Sequence, residues 1–157
     1  DEFQGDMVPR VTYMGDPYSC AFSGKALTFF SSRNLASPEL VEQRAIDERI
    51  DSVFYSDEYA AAIVRNTNGE YGSRLEVYKK DGTHVLSKEF TFEYTHADFD
   101  GDLIILYNED SCRIYNMSGT EKFDATFDFP VSKIRKGRFP GTLVVTGPQQ
   151  MQELKLR

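Results

Sequence analysis

Three aspartates, Asp98, Asp100 and Asp102, stand at alternate positions in HADFDGDL. Alternate carboxylates can converge on a hard cation such as calcium, and Glu109 falls where an EF-hand loop places its last ligand. The rest of the pattern departs from such a loop. Gly101 precedes Asp102, Leu103 takes the position that needs glycine, and a hydrophobic run follows where a loop should continue. The plainer reading is an Asp-Gly hairpin with solvated acids, and the three aspartates are carried forward only as candidate metal ligands. His84 and His96 are the two histidines. His84 follows a turn and is expected at the surface, whereas His96 enters an inner strand, where it could face a central channel. Neither belongs to a nucleophile motif such as G-x-S-x-G, so no catalytic residue is assigned.

The basic run KIRKGRF, with Lys133, Arg135, Lys136 and Arg138, could attract an anionic partner, although a turn and a solvated strand face explain it as well. Tyr55, Tyr59, Tyr71 and Tyr94 could stack on sugars or peptides where exposed, and otherwise suit core or cross-strand pairs. NGEYGS has two glycines but lacks the GK[ST] ending of a phosphate loop. Cys20 and Cys112 form no CxxC pair, which argues against a zinc site. Their pairing as a disulfide is open. No cofactor is expected.

The elements that position these residues come as a repeat. LEVYKKDGTHVLSKEF (residues 75–90) matches CRIYNMSGTEKFDATF (residues 112–127), with Val77 on Ile114, Tyr78 on Tyr115 and Gly82 on Gly119. Each copy reads as strand, turn, strand. Val77 and Ile114 are β-branched and Tyr78 and Tyr115 are aromatic, as strands prefer, and Asp81-Gly82 and Ser118-Gly119 tolerate the positive φ of a tight hairpin. Downstream, FDGDLIILY aligns with FPGTLVVTG when Gly101 is set on Gly141 and Leu103 on Leu143. Runs such as LIIL and LVV lack polar alternation and suit strands buried on both faces. DSVFYS and EYAAAIV fit the same plan, as does AFSGKALTFFS around Gly24.

The unit is thus about four short strands, the content of a β-propeller blade. The expected fold is all-β and propeller-like, with about four antiparallel repeat units, as a small or partial propeller. A β-sandwich would explain the strands but not the match between units. The approximate units are 18–47, 48–93, 94–130 and 131–157. Residues 7–14 are expected to supply the strand that the last unit lacks. In the first unit, SPELVEQRAIDERI carries helix-start signals at Ser37, Pro38 and Glu39, which favours a short helix or irregular turn over the outer strand the plan wants.

The chain has 157 residues, 40% of them hydrophobic, enough for a core. Its formal net charge of −7 argues against a nucleic-acid partner. No stretch approaches the roughly 20 apolar residues of a membrane span, so this segment is not expected to insert. The chain begins at Asp1, so an upstream signal, anchor or tag is left open.

At GEYGSRLEVYKKDGTHV, followed by a second IY strand and G-T turn, the sequence resembles an uncharacterised family of propeller proteins from Gram-positive bacteria. The likeness covers about residues 45–157. It implies an N-terminal membrane anchor in the parent protein, a propeller outside the cell membrane and a cell-envelope location. This chain lacks that anchor and is short for the family. The repeats also resemble, distantly, WD40-like and quinoprotein repeats and those of outer-membrane assembly propellers. The quinoprotein repeat carries a tryptophan after the turn, whereas this chain has Leu86 and Phe123 there and no tryptophan at all. No quinone is implied. The function expected is a non-enzymatic interaction or scaffold domain with a protein or glycan partner, with homodimerisation open. A carbohydrate- or peptide-binding sensor and a propeller hydrolase are the alternatives.

Overall fold

The computed structural model describes residues 10–66 and 71–156, and every regular element among them is a strand. Two compact units divide the chain, Asp1–Thr91 and Phe92–Arg157. The first holds β1 (Arg10–Tyr13), β2 (Tyr18–Phe22), β3 (Ala26–Ser31) and β4 (Glu39–Ala45) in one sheet. Its second sheet is β5 (Ile50–Tyr55), β6 (Tyr59–Arg65), β7 (Ser73–Lys79) and β8 (His84–Phe90). The second unit holds β9 (His96–Asp100), β10 (Leu103–Tyr107), β11 (Ser111–Asn116) and β12 (Glu121–Thr126), then a three-stranded sheet of β13 (Lys133–Lys136), β14 (Thr142–Thr146) and β15 (Met151–Lys155). Within each sheet every strand pairs antiparallel with its sequence neighbour, so every sheet is a local meander.

Strand alternation decides what each sheet buries. In the first sheet the cross-strand pairs Cys20–Phe29 and Phe22–Leu27 put four fully buried side chains on one face. They pack with Ala60, Ala62 and Val64, which lie two apart along β6 and share one face of the second sheet. The second unit repeats the arrangement with Ile105 and Ile114 against Ile134, Leu143, Val145 and Leu154. The pairing of each fourth strand slips by one residue, between Phe29 and Phe30, Val77 and Tyr78, and Ile114 and Tyr115. Such bulges sharpen the right-handed twist at the outer edge of a sheet.

Three expectations need correction. Residues 39–45 form a strand, not a helix or irregular turn. Leu40 and Val41 are 49% and 42% exposed, so no apolar helical face exists to be buried, and pairing along β3 outweighs the start signals at Ser37 and Pro38. The strand at Arg10–Tyr13 does not join the last sheet but pairs with β2, from Arg10–Phe22 to Tyr13–Ser19. Closing that short hairpin costs far less chain entropy than reaching the other end of the sequence. Residues 7–9 of the expected closing strand lie outside the described residues. Finally, the pair Tyr107–Cys112 corresponds in its sheet to Thr146–Met151, 39 residues on at both positions. Aligning Gly101 with Gly141 therefore misplaces β14 by one residue. Leu143 and Val145 answer to Ile104 and Leu106, and a one-residue slip exchanges the faces of a strand.

Both cysteines are free and fully buried, Cys20 in the first core and Cys112 in the second. Burial pushes each thiol up to about 12.

Gly82 and Gly119, which the repeat superimposes, have φ of 85° and 79°. At Gly82 a second constraint applies, because a Cβ there would sit 2.6 Å from the Glu42 Cβ and 3.0 Å from the Phe29 ring. Gly119→Val is expected to cost about 1–2 kcal/mol for the left-handed backbone alone. Gly82→Ala, a smaller side chain, is expected to cost more than that, because β4 must also retreat. Urea melts of the two variants check the order, and equal losses would show that the approach of β4 carries no weight.

Candidate functional site

The densest polar cluster lies in the first unit, on the face of the second sheet that carries Ala60, Ala62 and Val64. Strand pairing sets Arg74 opposite Val64, Glu76 opposite Ala62 and Tyr78 opposite Ala60, so all three side chains leave that face. Glu76 is the hub, with its side chain 11% exposed. Its Oε1 accepts hydrogen bonds from Arg74 Nε at 2.7 Å and Ser87 Oγ at 2.8 Å, and its Oε2 lies 3.0 Å from His84 Nε2. Arg74 also reaches Glu48 at 2.8 Å. A carboxylate at this depth is costly without partners, and Glu76 has three.

The cluster ties the two sheets of the unit together. Arg44 on β4 donates from Nε to the Gly82 carbonyl at 2.9 Å, and its guanidinium lies 5.9 Å from the centre of the Tyr78 ring. His84 meets that ring edge-on at 5.4 Å. Burial pushes the Tyr78 hydroxyl up, and the nearby charge of Glu76 adds to the effect. The hydrogen bond from Arg74 holds the Glu48 carboxyl below its ordinary value of 4.5.

The cluster has a serine, a histidine and an acid, but not the connectivity of a nucleophile relay. Such a relay needs the imidazole between hydroxyl and carboxylate. Here Ser87 and His84 each bond Glu76, on different oxygens. The group that meets the Ser87 hydroxyl is the Glu76 carboxylate itself, not an imidazole. Beside it, Tyr71, Arg74, Ser87, Lys88 and Glu89 line an open groove of about 450 Å³. Tyr71 is 41% exposed there, and Tyr55 is 37% exposed elsewhere in the unit.

The candidate metal ligands are not brought together. Asp98 and Asp100 share a face of β9, while Asp102 lies beyond the turn at Gly101. Asp98 Oδ1 accepts from the Phe99 amide at 2.8 Å. The residues between Asp102 and Glu109 form β10 rather than a loop. Among the described residues no group of three or more His, Cys, Asp or Glu is placed to hold a metal ion. His96 is exposed at the start of β9 and stacks on Tyr107 at 4.9 Å. The basic run lies on β13 and the turn after it, with Lys133, Arg135, Lys136 and Arg138 exposed and Ile134 buried.

Sequence reasoning placed His84 correctly at the surface after its turn but missed Glu76. The signal was present in SRLEVYK. Arg74, Glu76 and Tyr78 alternate with Leu75 and Val77, which puts charge on one face of a strand otherwise built for burial.

Four consecutive antiparallel meanders of three or four strands define a repeat of β-propeller type, and the solved structures this chain resembles include WD40 propellers. The Neurospora crassa Pan2 WD40 domain is 10% identical with a TM-score of 0.54, over 97% of this chain and 50% of that one. HIRA(644-1017) is 10% identical with a TM-score of 0.64, over 96% and 51%. A chain of a mitotic checkpoint complex is 10% identical with a TM-score of 0.61, over 99% and 51%. This chain therefore spans about half the length of each and corresponds to part of such a propeller. The chain belongs to the family of unknown function DUF5711, whose pattern matches residues 1–156. It matches no curated protein.

Glu76→Gln removes the charge from the hub and is expected to cost about 1.5–3 kcal/mol, the range for hydrogen bonds to a charged group. Urea melting checks this, and an unchanged midpoint would remove Glu76 as the hub. The Glu48–Arg74 pair sets a pH dependence. As pH falls, the unfolded Glu48 takes its proton near 4.5 and the folded one only below that. The pair's contribution is therefore present above 4.5 and lost as pH falls through the folded value. Glu48→Gln should lower the urea midpoint at neutral pH and leave it nearly unchanged in strong acid.

Proposed function

We propose that this chain is part of a non-enzymatic scaffold domain that binds a protein partner outside the cell membrane, at the cell envelope. The carrying observation is the order of contacts around Glu76. The hydroxyl and imidazole that could have formed a relay are instead each held by the carboxylate, so they fasten β7 to β8. The WD40-like fold supports the same reading, since stacked rigid sheets hold recognition surfaces in fixed positions. The envelope location rests on the resemblance at residues 45–157.

The partner can be a second copy of the chain or another protein, and light scattering on a sizing column separates these. In cells, cross-linking followed by purification should recover one protein in constant ratio with the full-length parent, and the two should co-elute. A parent protein that elutes alone from every extract would overturn the scaffold reading. Protease added to intact cells should digest the domain if it lies outside the membrane, and full protection would overturn the location.

The groove beside Tyr71 favours a second reading, a sensor that takes a sugar or short peptide. Arg74 is already positioned by two carboxylates, and an exposed ring can stack on a sugar face. Under this reading Tyr71→Ala would abolish retention on a glycan array without changing the urea midpoint.

A further inference from the structure

Charge is divided unevenly along the chain. Residues 131–157 contain six Lys and Arg against one Asp or Glu, a formal +5, while the other 130 residues hold 12 against 24, a formal −12. The cations of that segment also differ in their surroundings. Arg44, Arg49, Arg65, Arg74 and Arg113 each sit in an ion pair. Among the described residues, Lys133, Arg135, Lys136 and Arg138 have no carboxylate within ion-pair distance, and all four are exposed. Lys133 and Arg135 are two apart on β13 and so leave one face, roughly 7 Å apart. Met151, 68% exposed, lies on that face in the row of Lys133 through Thr146, Glu153 lies there in the row of Arg135 through Val144, and Lys155 adds a third cation to the same face.

We propose that this cationic face of the last sheet is the docking surface for an acidic protein segment, bound in extended form with carboxylates at alternate positions. The inference rests on the scaffold reading and names the chemistry of its partner. An extended strand repeats its side chains about every 7 Å on one face, which matches Lys133 and Arg135. The patch is only about the four residues of β13 long. The formal net charge of −7 on the whole chain disfavours a long polyanion such as a duplex or an anionic membrane. A short peptide touches the patch alone.

The probe is a short fluorescent peptide alternating glutamate and valine, with a glutamine-valine peptide as its neutral counterpart. Binding is followed by anisotropy with the full 157-residue chain. The acidic peptide should bind, and should weaken when salt is raised from about 50 to about 300 mM. The double variant Lys133→Glu, Arg135→Glu should weaken it about ten-fold, as expected from reversing two exposed charges. Lys25→Glu with Arg33→Glu makes the same change in net charge at exposed sites in the first unit and should leave most of the affinity. Far-UV circular dichroism and urea melts confirm that both variants fold.

No binding of the acidic peptide, equal binding of the neutral one, or equal loss in both double variants overturns the proposal. Binding of single-stranded DNA or anionic vesicles in place of the peptide overturns it as well. The cellular cross-link separates the two levels. A partner still recovered with Lys133→Glu, Arg135→Glu leaves the scaffold reading standing and removes this surface, whereas no partner with the natural protein removes the scaffold reading itself.

Discussion

A four-stranded meander has two faces and no interior, so everything in this chain depends on one sheet burying a face against the next. Sheets pack about 10 Å apart, and the side chains between them must share that space. In the first unit the sharing is unequal. Phe22, Leu27 and Phe29 fill the gap from one side, while Ala60 and Ala62 yield it from the other. A larger residue at either alanine would have to displace a phenylalanine already at zero exposure. The small residues of β6 are therefore a condition of stacking. They also leave the rim of the same face free for polar groups.

The polar cluster follows from this. Arg74, Glu76 and Tyr78 stand on the face that holds the alanines, one strand further out, where the seam between sheets opens to water. A charge there is half in the core and must be paired. Glu48, Ser87 and His84 supply the partners, and Arg44 reaches across from the other sheet to the Gly82 turn. Because Glu42 and Phe29 press on that turn, a glycine is needed for space as well as for its positive φ. Core packing, turn chemistry and ion pairing thus meet within a few residues of Gly82. In the second unit Arg113 fastens a strand in a similar way, meeting Asp124 at 3.0 Å and Glu121 at 3.5 Å on the neighbouring β12, with the Phe92 ring 5.3 Å from its guanidinium.

The strands and hairpins were legible because their signals are local. Alternation at Val77-Tyr78 and Ile114-Tyr115, with glycine four or five residues on, needs no knowledge of the partner sheet. The face of β14 was not legible. Gly101 and Gly141 both have positive φ and invite superposition, but one residue separates Gly101 from its strand and none separates Gly141 from β14. Only pairing with β13 and β15 fixes that register. Residues 39–45 misled for a related reason: Ser37, Pro38 and Glu39 describe how a helix could begin, but whether it does depends on β3 waiting alongside. Glu76 escaped notice because the cost of burying a carboxylate shows only once its depth is known.

The last sheet shows most directly that burial, rather than the repeat as such, sets each residue's chemistry. In register, Tyr78, Tyr115 and Leu154 occupy one position, and Val77, Ile114 and Glu153 the one before it. The first position stays apolar in all three strands and is buried in each, at 5%, 2% and 8% exposure. The second is fully buried as Val77 and Ile114 but exposed as Glu153. Where the face of Ile114 meets the last sheet of its unit the strand keeps an aliphatic residue, and where the face of Glu153 meets water the same place carries a charge. A repeat in which only one face must be buried is free to vary the other, and an exposed face near a sheet edge that carries charge also resists unspecific strand pairing. The stacking constraint that makes the sheets alike on one side is thus what permits the last of them to differ on the other.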